Sequence, residues 1–303
     1  MSRWQLRWRS KQTGADAVRG ELPPIRALGG LDRMQFHKAG TGSPAVVFVH
    51  GFACDSSDWQ AQFDRLAEQT TVVACDLRGH GGAPAGAGGF SIEAFGADVG
   101  SLLADLDLPP AVLVGHSMGC RVILQAYLEA PHRVAGLVLL DGSRAGGGNP
   151  DDAERAMVET LRGDGYEPFV RDFFENMFIG SSDPELKAAV IARGLALSPE
   201  VGAPLFASIV GWDLRSAEQA LAAVRVPLLA IQSTTMTAEL VRTPLAAGRV
   251  SPWVELVQRY VLAAQVEVIS GQGHYPHIEA ADQVSDLIAD FVAAVQSPTS
   301  DLR

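Results

Sequence analysis

The sequence lacks several features that mark large classes of protein. Basic residues are few, since 24 Lys and Arg stand against 35 Asp and Glu and give a formal net charge of −11. Nucleic acids and anionic membranes bind clustered cations, so neither is expected as a partner. No apolar run approaches the roughly 20 residues that a membrane-spanning helix needs, so no membrane span is expected.

Cysteine is also scarce. The three residues Cys54, Cys75 and Cys120 are odd in number and form no disulfide framework, which predicts reduced thiols in a reducing, cytoplasmic compartment. Histidine and cysteine do not recur at the spacing of paired metal ligands, and no G-x-x-x-x-G-K phosphate loop is present. We therefore expect neither a metal ion nor another cofactor.

Both ends of the chain differ in character from the middle. Residues 1–25 contain several Arg and Lys but no apolar segment of the signal-peptide type, and are predicted to be a poorly ordered extension. A basic docking or targeting segment is the alternative interpretation. Residues 297–303 are predicted to be a short C-terminal tail.

Short apolar segments alternate with helical patterns from about residue 45 onward. Continuous rather than alternating apolar runs are typical of strands covered on both faces, as in a parallel sheet between helices. The pattern predicts an α/β fold with a mostly parallel, doubly wound sheet flanked by helices, whose ligands bind at the carboxyl ends of the strands. The predicted strands are 45–49, 71–75, 111–114, 136–140, 227–231 and 266–269, and the predicted core helices are 59–68, 91–106, 120–130 and 281–295.

The alternation is interrupted once, between residues 140 and 227. The interval has no convincing strand but several helical patterns, and a loop of that length without structure would be unusual. We predict a helical cap or lid over residues 143–225, inserted after the sixth strand into a core formed by 26–142 and 226–296. Bulky apolar side chains in the cap predict an apolar space over the carboxyl edge of the sheet.

Gly115-His116-Ser117-Met118-Gly119 is the most informative stretch of the chain. It lies between a predicted strand and a predicted helix, as a nucleophile elbow does, with glycines that permit a tight turn and leave the serine hydroxyl exposed. His274, after the last predicted strand, lies at the same sheet edge and is the candidate base. The backbone amides of Phe52 and Met118 are the candidate oxyanion hole.

These motifs together resemble a known superfamily. His50-Gly51-Phe52, Asp76 to Gly81, the elbow and Gly273-His274 have the order and spacing seen in the α/β-hydrolase fold superfamily, in its serine esterase/lipase-like branch with a helical cap. The resemblance covers about residues 34–296, except most of the cap. It implies a Ser–His mechanism, and the serine at the elbow excludes the branches that use an aspartate there to displace halide or open epoxides.

The orienting acid departs from the family pattern. Most members place it after the penultimate strand, but residues 231–236 contain no carboxylate. Asp141, at the end of the strand after the elbow helix, is the favoured candidate because some lipases and dehalogenases carry the acid there. Glu239 and Glu255 remain alternatives. A turn or capping role is the structural interpretation of Asp141.

The sequence predicts an enzyme, a serine hydrolase of carboxylic esters or lactones with small to medium, partly apolar substrates. Ser117, His274 and Asp141 are the predicted catalytic residues. The predicted substrate-binding residues are Phe52, Met118, Arg144, Phe173, Met177, Trp212 and His277. Arg121 and Arg144 are candidates either for binding a substrate carboxylate or for ordinary salt bridges.

Other functions remain open at this point. A C–C bond hydrolase or a cofactor-free peroxidase would use the same triad, and a non-catalytic ligand-binding receptor would keep the fold and the pocket. The expected partner is a small-molecule ester, and the expected state of the protein is a monomer or a homodimer.

Overall fold

The computed structural model describes residues 22–24, 34–86, 88–237 and 240–296 of the 303-residue chain. The predicted N-terminal extension (1–25) and tail (297–303) fall almost wholly outside this part, as does Glu239, one of the three candidate acids.

A seven-stranded sheet with the order β1-β3-β2-β4-β5-β6-β9 forms the centre of the molecule. Only the edge strand β1 is antiparallel to its neighbour, so the predicted mostly parallel sheet is confirmed. The strands are β1 (Gln35–Ala39), β2 (Val46–Val49), β3 (Val72–Asp76), β4 (Ala111–His116), β5 (Val134–Leu140), β6 (Leu228–Gln232) and β9 (Gln265–Val268). A separate antiparallel hairpin, β7 (Thr234–Met236) with β8 (Arg242–Pro244), follows β6.

Helices cover both faces of the sheet, which is why its central strands are apolar throughout. In β2, Val47 and Val49 join one core cluster while Val46 and Phe48 join the other. The core helices are α1 (Gln60–Ala67), α2 (Ile92–Asp105), α3 (Met118–Glu129), α9 (Pro252–Tyr260), α10 (Pro276–Glu279) and α11 (Ala281–Gln296). Side chains at the carboxyl ends of the parallel strands meet at one edge of the sheet.

Five helices lie between β5 and β6, where the sequence predicts the cap. They are α4 (Pro150–Thr160), α5 (Tyr166–Glu175), α6 (Pro184–Ala196), α7 (Pro199–Arg215) and α8 (Ala217–Ala223), and are called the helical insertion below. The sequence predicts the insertion after a sixth strand. In the described residues it follows the fifth strand, β5. None of the described helices is by itself long and apolar enough to cross a membrane; α6 and α7 meet that test only as a pair bent by 104°.

A buried ion pair attaches the insertion to the elbow helix. Arg121 of α3 donates to both carboxylate oxygens of Asp213 of α7, at 2.7 and 2.6 Å, and both side chains are almost fully buried. The same guanidinium donates to the Ser117 and Ser143 carbonyl oxygens. Of the two roles predicted for Arg121, the structure gives it the salt bridge.

Candidate active site

Ser117 occupies a sharp turn between β4 and α3. Its backbone has φ 54° and ψ −113°, in the left-handed region that non-glycine residues rarely adopt. The turn is tight because its two glycines lie against backbone: a Cβ on Gly119 would lie 2.3 Å from the Val49 carbonyl oxygen, and one on Gly115 would lie 2.3 Å from the Gly119 carbonyl oxygen. The side chain of Ser117 consequently projects from the sheet edge into a cavity.

His274 lies beside Ser117, on the loop after β9. Its Nε2 is 2.9 Å from the Ser117 Oγ, and the residue is 2% exposed. Two hydrogen bonds hold its backbone: the N–H donates to the Met177 carbonyl of the helical insertion at 3.1 Å, and the carbonyl accepts from the His116 Nε2 at 2.8 Å. The backbone of His274 is therefore held from both the core and the segment between β5 and β6.

Asp141 lies on the far side of the imidazole. It follows β5, is fully buried, and its Oδ2 is 2.6 Å from the His274 Nδ1. Glu255, by contrast, is exposed on α9, and Glu239 lies outside the described residues. Of the described candidates, Asp141 is the carboxylate in contact with His274.

A small cavity lies above Ser117. Its volume is about 20 Å³, and its walls include three of the predicted binding residues, Phe52, Met118 and Phe173. A water molecule needs a volume of at least about 10 to 15 Å³, so the cavity has room for little more than one water. The Phe206 ring completes an aromatic roof, with centroids 5.2 Å from Phe52 and 4.9 Å from Phe173.

A larger groove adjoins this cavity. It measures about 570 Å³ and lies between the loop after β5 and helix α9. Ser143 and Met236 line both spaces and separate them. Arg144, a predicted binding residue, lines the groove and not the cavity, where its guanidinium pairs with Glu218 at 2.9 Å.

Two predicted binding residues of the insertion lie away from the cavity. Trp212 is buried against the elbow helix, where its Nε1 donates to the Gln125 Oε1 at 2.9 Å. Met177 is buried and contributes its backbone carbonyl to His274, while its side chain is not part of the cavity wall. Both side chains are buried in the core and do not face the cavity. The sequence pattern of a helix shows that a residue is buried, but not which neighbour it is buried against.

His277 was predicted to border the site, and it lies behind it instead. Its ring lies between those of Trp59, at a centroid distance of 4.6 Å, and His116, at 4.4 Å, and is tilted against both. It is absent from the walls of the cavity and of the groove. The short helix α10 turns its side chain into the core.

The hairpin after β6 contributes residues that the sequence analysis did not identify. The backbone amides of Ser233 and Thr234, the Thr234 hydroxyl and the Arg242 guanidinium all donate to the Asp141 carboxylate. The sequence feature that could have identified them is the absence of an acid after β6. In most relatives this segment carries the triad acid, whereas here it carries hydrogen-bond donors to Asp141.

Burial determines the protonation of the histidines near the site. It lowers the pKa values of His116, His274 and His277 well below the usual value near 6.5, and that of His80 to about 3. For His274 the positive charge of Arg242 is the next largest cause. At neutral pH the imidazole of His274 is neutral and able to accept a proton.

We expect the folded protein to lose stability in mild acid. Below about pH 6.5 these histidines bind protons in the unfolded chain but not in the folded protein, where they are buried. Each buried histidine therefore lowers the free energy of unfolding by up to about 1.4 kcal/mol for every unit by which the pH falls. His277→Phe keeps a ring between Trp59 and His116, and neither His277 ring nitrogen has a hydrogen-bond partner in the described residues. Circular-dichroism titration should place the acid unfolding midpoint of this variant below that of the wild type; an unchanged midpoint contradicts the explanation.

The chain is similar to known proteins in both sequence and structure. The family model described as "Alpha/beta hydrolase family" matches residues 46–287. Among solved structures, a thermophilic esterase from Thermogutta terrifontis is similar, with a TM-score of 0.72 and 26% identity over 87% of this chain and 94% of that one.

Two curated relatives differ in how much of their length is matched. The dihydrolipoyllysine-residue acetyltransferase component of the acetoin cleaving system of Pseudomonas putida is 36% identical over 133 residues, which are 44% of this chain and only 36% of that protein. The karrikin insensitive 2 receptor IA of Petunia hybrida is 27% identical over 258 residues, which are 80% of this chain and 88% of the receptor.

Proposed function

Because this chain belongs to the alpha/beta hydrolase family, we propose that it is a serine hydrolase of carboxylic esters or lactones that works through an acyl-enzyme on Ser117. The observation that carries the proposal is the hydrogen-bonded chain from the Ser117 Oγ to the His274 Nε2, at 2.9 Å, and from the His274 Nδ1 to the Asp141 Oδ2, at 2.6 Å. Such a chain allows a neutral imidazole to remove the serine proton as the hydroxyl attacks.

The first half-reaction acylates the serine. The Ser117 Oγ forms a bond to the carbonyl carbon while the His274 Nε2 takes its proton, and the Asp141 carboxylate stabilises the imidazolium. The backbone N–H groups of Phe52 and Met118 donate to the oxyanion, and each such donor is worth about 3 kcal/mol of barrier. The tetrahedral intermediate then expels the alcohol, which takes the proton from His274.

The second half-reaction releases the acid. A water molecule gives a proton to the His274 Nε2 and attacks the acyl carbon through the same oxyanion site. Collapse of this intermediate returns the proton to the Ser117 Oγ and frees the carboxylic acid.

We assign the two parts of an ester substrate, the acyl group and the alcohol, to the two spaces beside Ser117. Most of the cavity wall is aromatic or aliphatic and suits an apolar acyl group, while Arg121, Ser143 and Arg242 supply its polar part. An acyl chain needs more room than the cavity volume of about 20 Å³, so the aromatic side chains must move when it binds. The groove, which shares Ser143 and Met236 with the wall of the cavity, is large enough for the alcohol part of the ester. Movement of the Met236 side chain would join the two spaces.

The proposal is tested with purified protein, a panel of p-nitrophenyl esters of increasing acyl length, and a fluorophosphonate probe. We expect turnover of the shorter esters and covalent labelling that peptide mapping places on Ser117. Protein that neither hydrolyses any ester of the panel nor reacts with the probe would contradict the proposed function.

Phe173→Ala should change which ester is preferred. The side chain lines the cavity and is only partly buried, so its removal enlarges the acyl space at a moderate cost in stability. We expect kcat/KM for longer acyl chains to rise about tenfold relative to the acetyl ester, as for one or two methylene groups in an apolar pocket. Phe169→Ala is the matched control, because Phe169 stacks on Phe173 without lining the cavity; an equal shift in both variants would refute the assignment.

One similarity favours a second candidate, a ligand-binding receptor. The relative named a karrikin receptor is matched over 80% of this chain. A receptor that retains the triad would be labelled by the probe and release product in a single burst, without steady turnover. Burst kinetics over the whole ester panel would therefore favour the receptor, and linear turnover favours the hydrolase.

A further inference from the structure

The Asp141 carboxylate is the most heavily coordinated side chain at the site. It is 0% exposed and has five donors. Oδ1 accepts from the Ser233 and Thr234 amides, both at 2.8 Å, and Oδ2 accepts from the His274 Nδ1 at 2.6 Å, the Thr234 hydroxyl at 2.6 Å and the Arg242 Nη1 at 3.0 Å. The base and the arginine therefore share one carboxylate oxygen.

Arg242 is itself buried, with its side chain 2% exposed. Beyond Asp141, its guanidinium donates to the Thr234 hydroxyl at 2.9 Å and to the Ser143 hydroxyl at 3.1 Å. Its backbone N–H donates to the Asn176 carbonyl of the helical insertion at 3.3 Å. A buried cation is expensive unless it is paired, so this arginine is held in place by the carboxylate that it contacts.

We propose that Arg242 is a positioning residue for the Ser117–His274–Asp141 triad. Its guanidinium orients the Asp141 carboxylate, which contacts His274, and balances the negative charge of that carboxylate. The proposal rests on the triad of the proposed function. The β7–β8 hairpin thus has a role in place of the acid that it lacks: it supplies the donors and the cation that fix an acid contributed by β5.

A charge at this position acts on the base. Arg242 disfavours a second positive charge on the imidazole, and after burial it is the largest cause of the lowered pKa of His274. Other titratable or charged groups also surround His274. They are Asp141 directly after β5, Arg121 of α3, His116 of β4, Tyr275 of the loop after β9, and His277 and Glu279 of α10. Of these groups, Arg121 is neutralised by its own partner Asp213, whereas Arg242 shares its carboxylate with the base.

The rate of fluorophosphonate labelling of Ser117, measured against pH, tests this assignment without knowledge of the substrate. Labelling falls where His274 becomes protonated, so the wild-type acid limb should lie well below about pH 6.5. In Arg242→Gln the acid limb should move to a pH about one unit higher. The negative charge of Asp141 then stabilises the protonated imidazole of His274 without the opposing positive charge of Arg242. Arg242→Lys keeps the positive charge, so its acid limb should lie close to that of the wild type.

Two further variants separate charge from hydrogen bonding and from general effects. Thr234→Val removes a neutral donor from the same carboxylate oxygen, so its labelling should slow with little movement of the limb. Arg65→Gln removes a half-exposed arginine that pairs with Asp286 far from the site, and should leave both rate and limb unchanged.

Several outcomes would overturn the assignment. A wild-type limb at or above about pH 6.5, an unmoved limb in folded Arg242→Gln, or an equal shift in Thr234→Val would each do so. If Arg242→Gln does not fold, Arg242→Met takes its place, because it removes the same charge and keeps an unbranched side chain; an unmoved limb in that variant overturns the assignment as well. Wild-type protein that the probe does not label at all would instead count against the proposed function, so the two failures are distinguishable.

Discussion

Ser117→Ala should abolish both ester turnover and labelling by the fluorophosphonate probe. Without the hydroxyl, the His274 Nε2 loses the oxygen that lies 2.9 Å away, and the acyl-enzyme cannot form. Loss of a nucleophile of this kind lowers kcat by about 10⁶-fold in serine hydrolases. The variant should fold as well as the wild type, because alanine adds no atoms to the turn.

The measurement needs a control that changes a serine elsewhere. Ser101→Ala on the exposed face of α2 should retain full turnover and labelling. Turnover in Ser117→Ala within tenfold of the wild type would contradict the proposed mechanism. Such a result would direct attention to chemistry that uses the cavity without an acyl-enzyme.

Asp141→Asn should cost about 10⁴-fold in kcat, the size of the loss when the triad acid of a serine protease is replaced by its amide. The asparagine can no longer accept strongly from the His274 Nδ1 and also hold the Arg242 guanidinium. It leaves a buried cation without its counter-charge, so the melting temperature should fall as well.

Parallel variants of the other two carboxylates make this result decisive. Glu239→Gln and Glu255→Gln should each retain far more activity than Asp141→Asn, and neither should change the acid limb of labelling. If Glu239→Gln lost as much activity as Asp141→Asn, the acid would be shared or misassigned. A melting curve for each variant separates loss of chemistry from loss of the fold.

The parts of the fold that the sequence predicted are those in which one physical rule dominates. Continuous apolar runs such as those of β2 and β5 are buried on both faces, and the structure confirms them as central parallel strands. The elbow was identifiable because close backbone contact permits only glycine at residues 115 and 119. These constraints are local, so they are visible in a short stretch of sequence.

Features that depend on tertiary neighbours could not be predicted in the same way. The edge strand β1 is only partly buried and carries Gln, His and Lys among its five residues, which hides it from a search for apolar runs. Trp212 and His277 are apolar or aromatic like the residues that do line the cavity, and only the packing of their helices shows that they face the core. The choice of Asp141 over its rivals likewise depends on a distance across the sheet edge.

The hydrogen bond from the His274 backbone to the Met177 carbonyl has a consequence for protein engineering. The proposed general base, His274, is held partly by a residue of the segment between β5 and β6. Under the proposed mechanism, a chimera that exchanged this segment for that of a homologue would therefore disturb proton transfer as well as substrate preference. Directed evolution of selectivity is therefore better confined to the side chains that point into the cavity, with the backbone around residue 177 preserved.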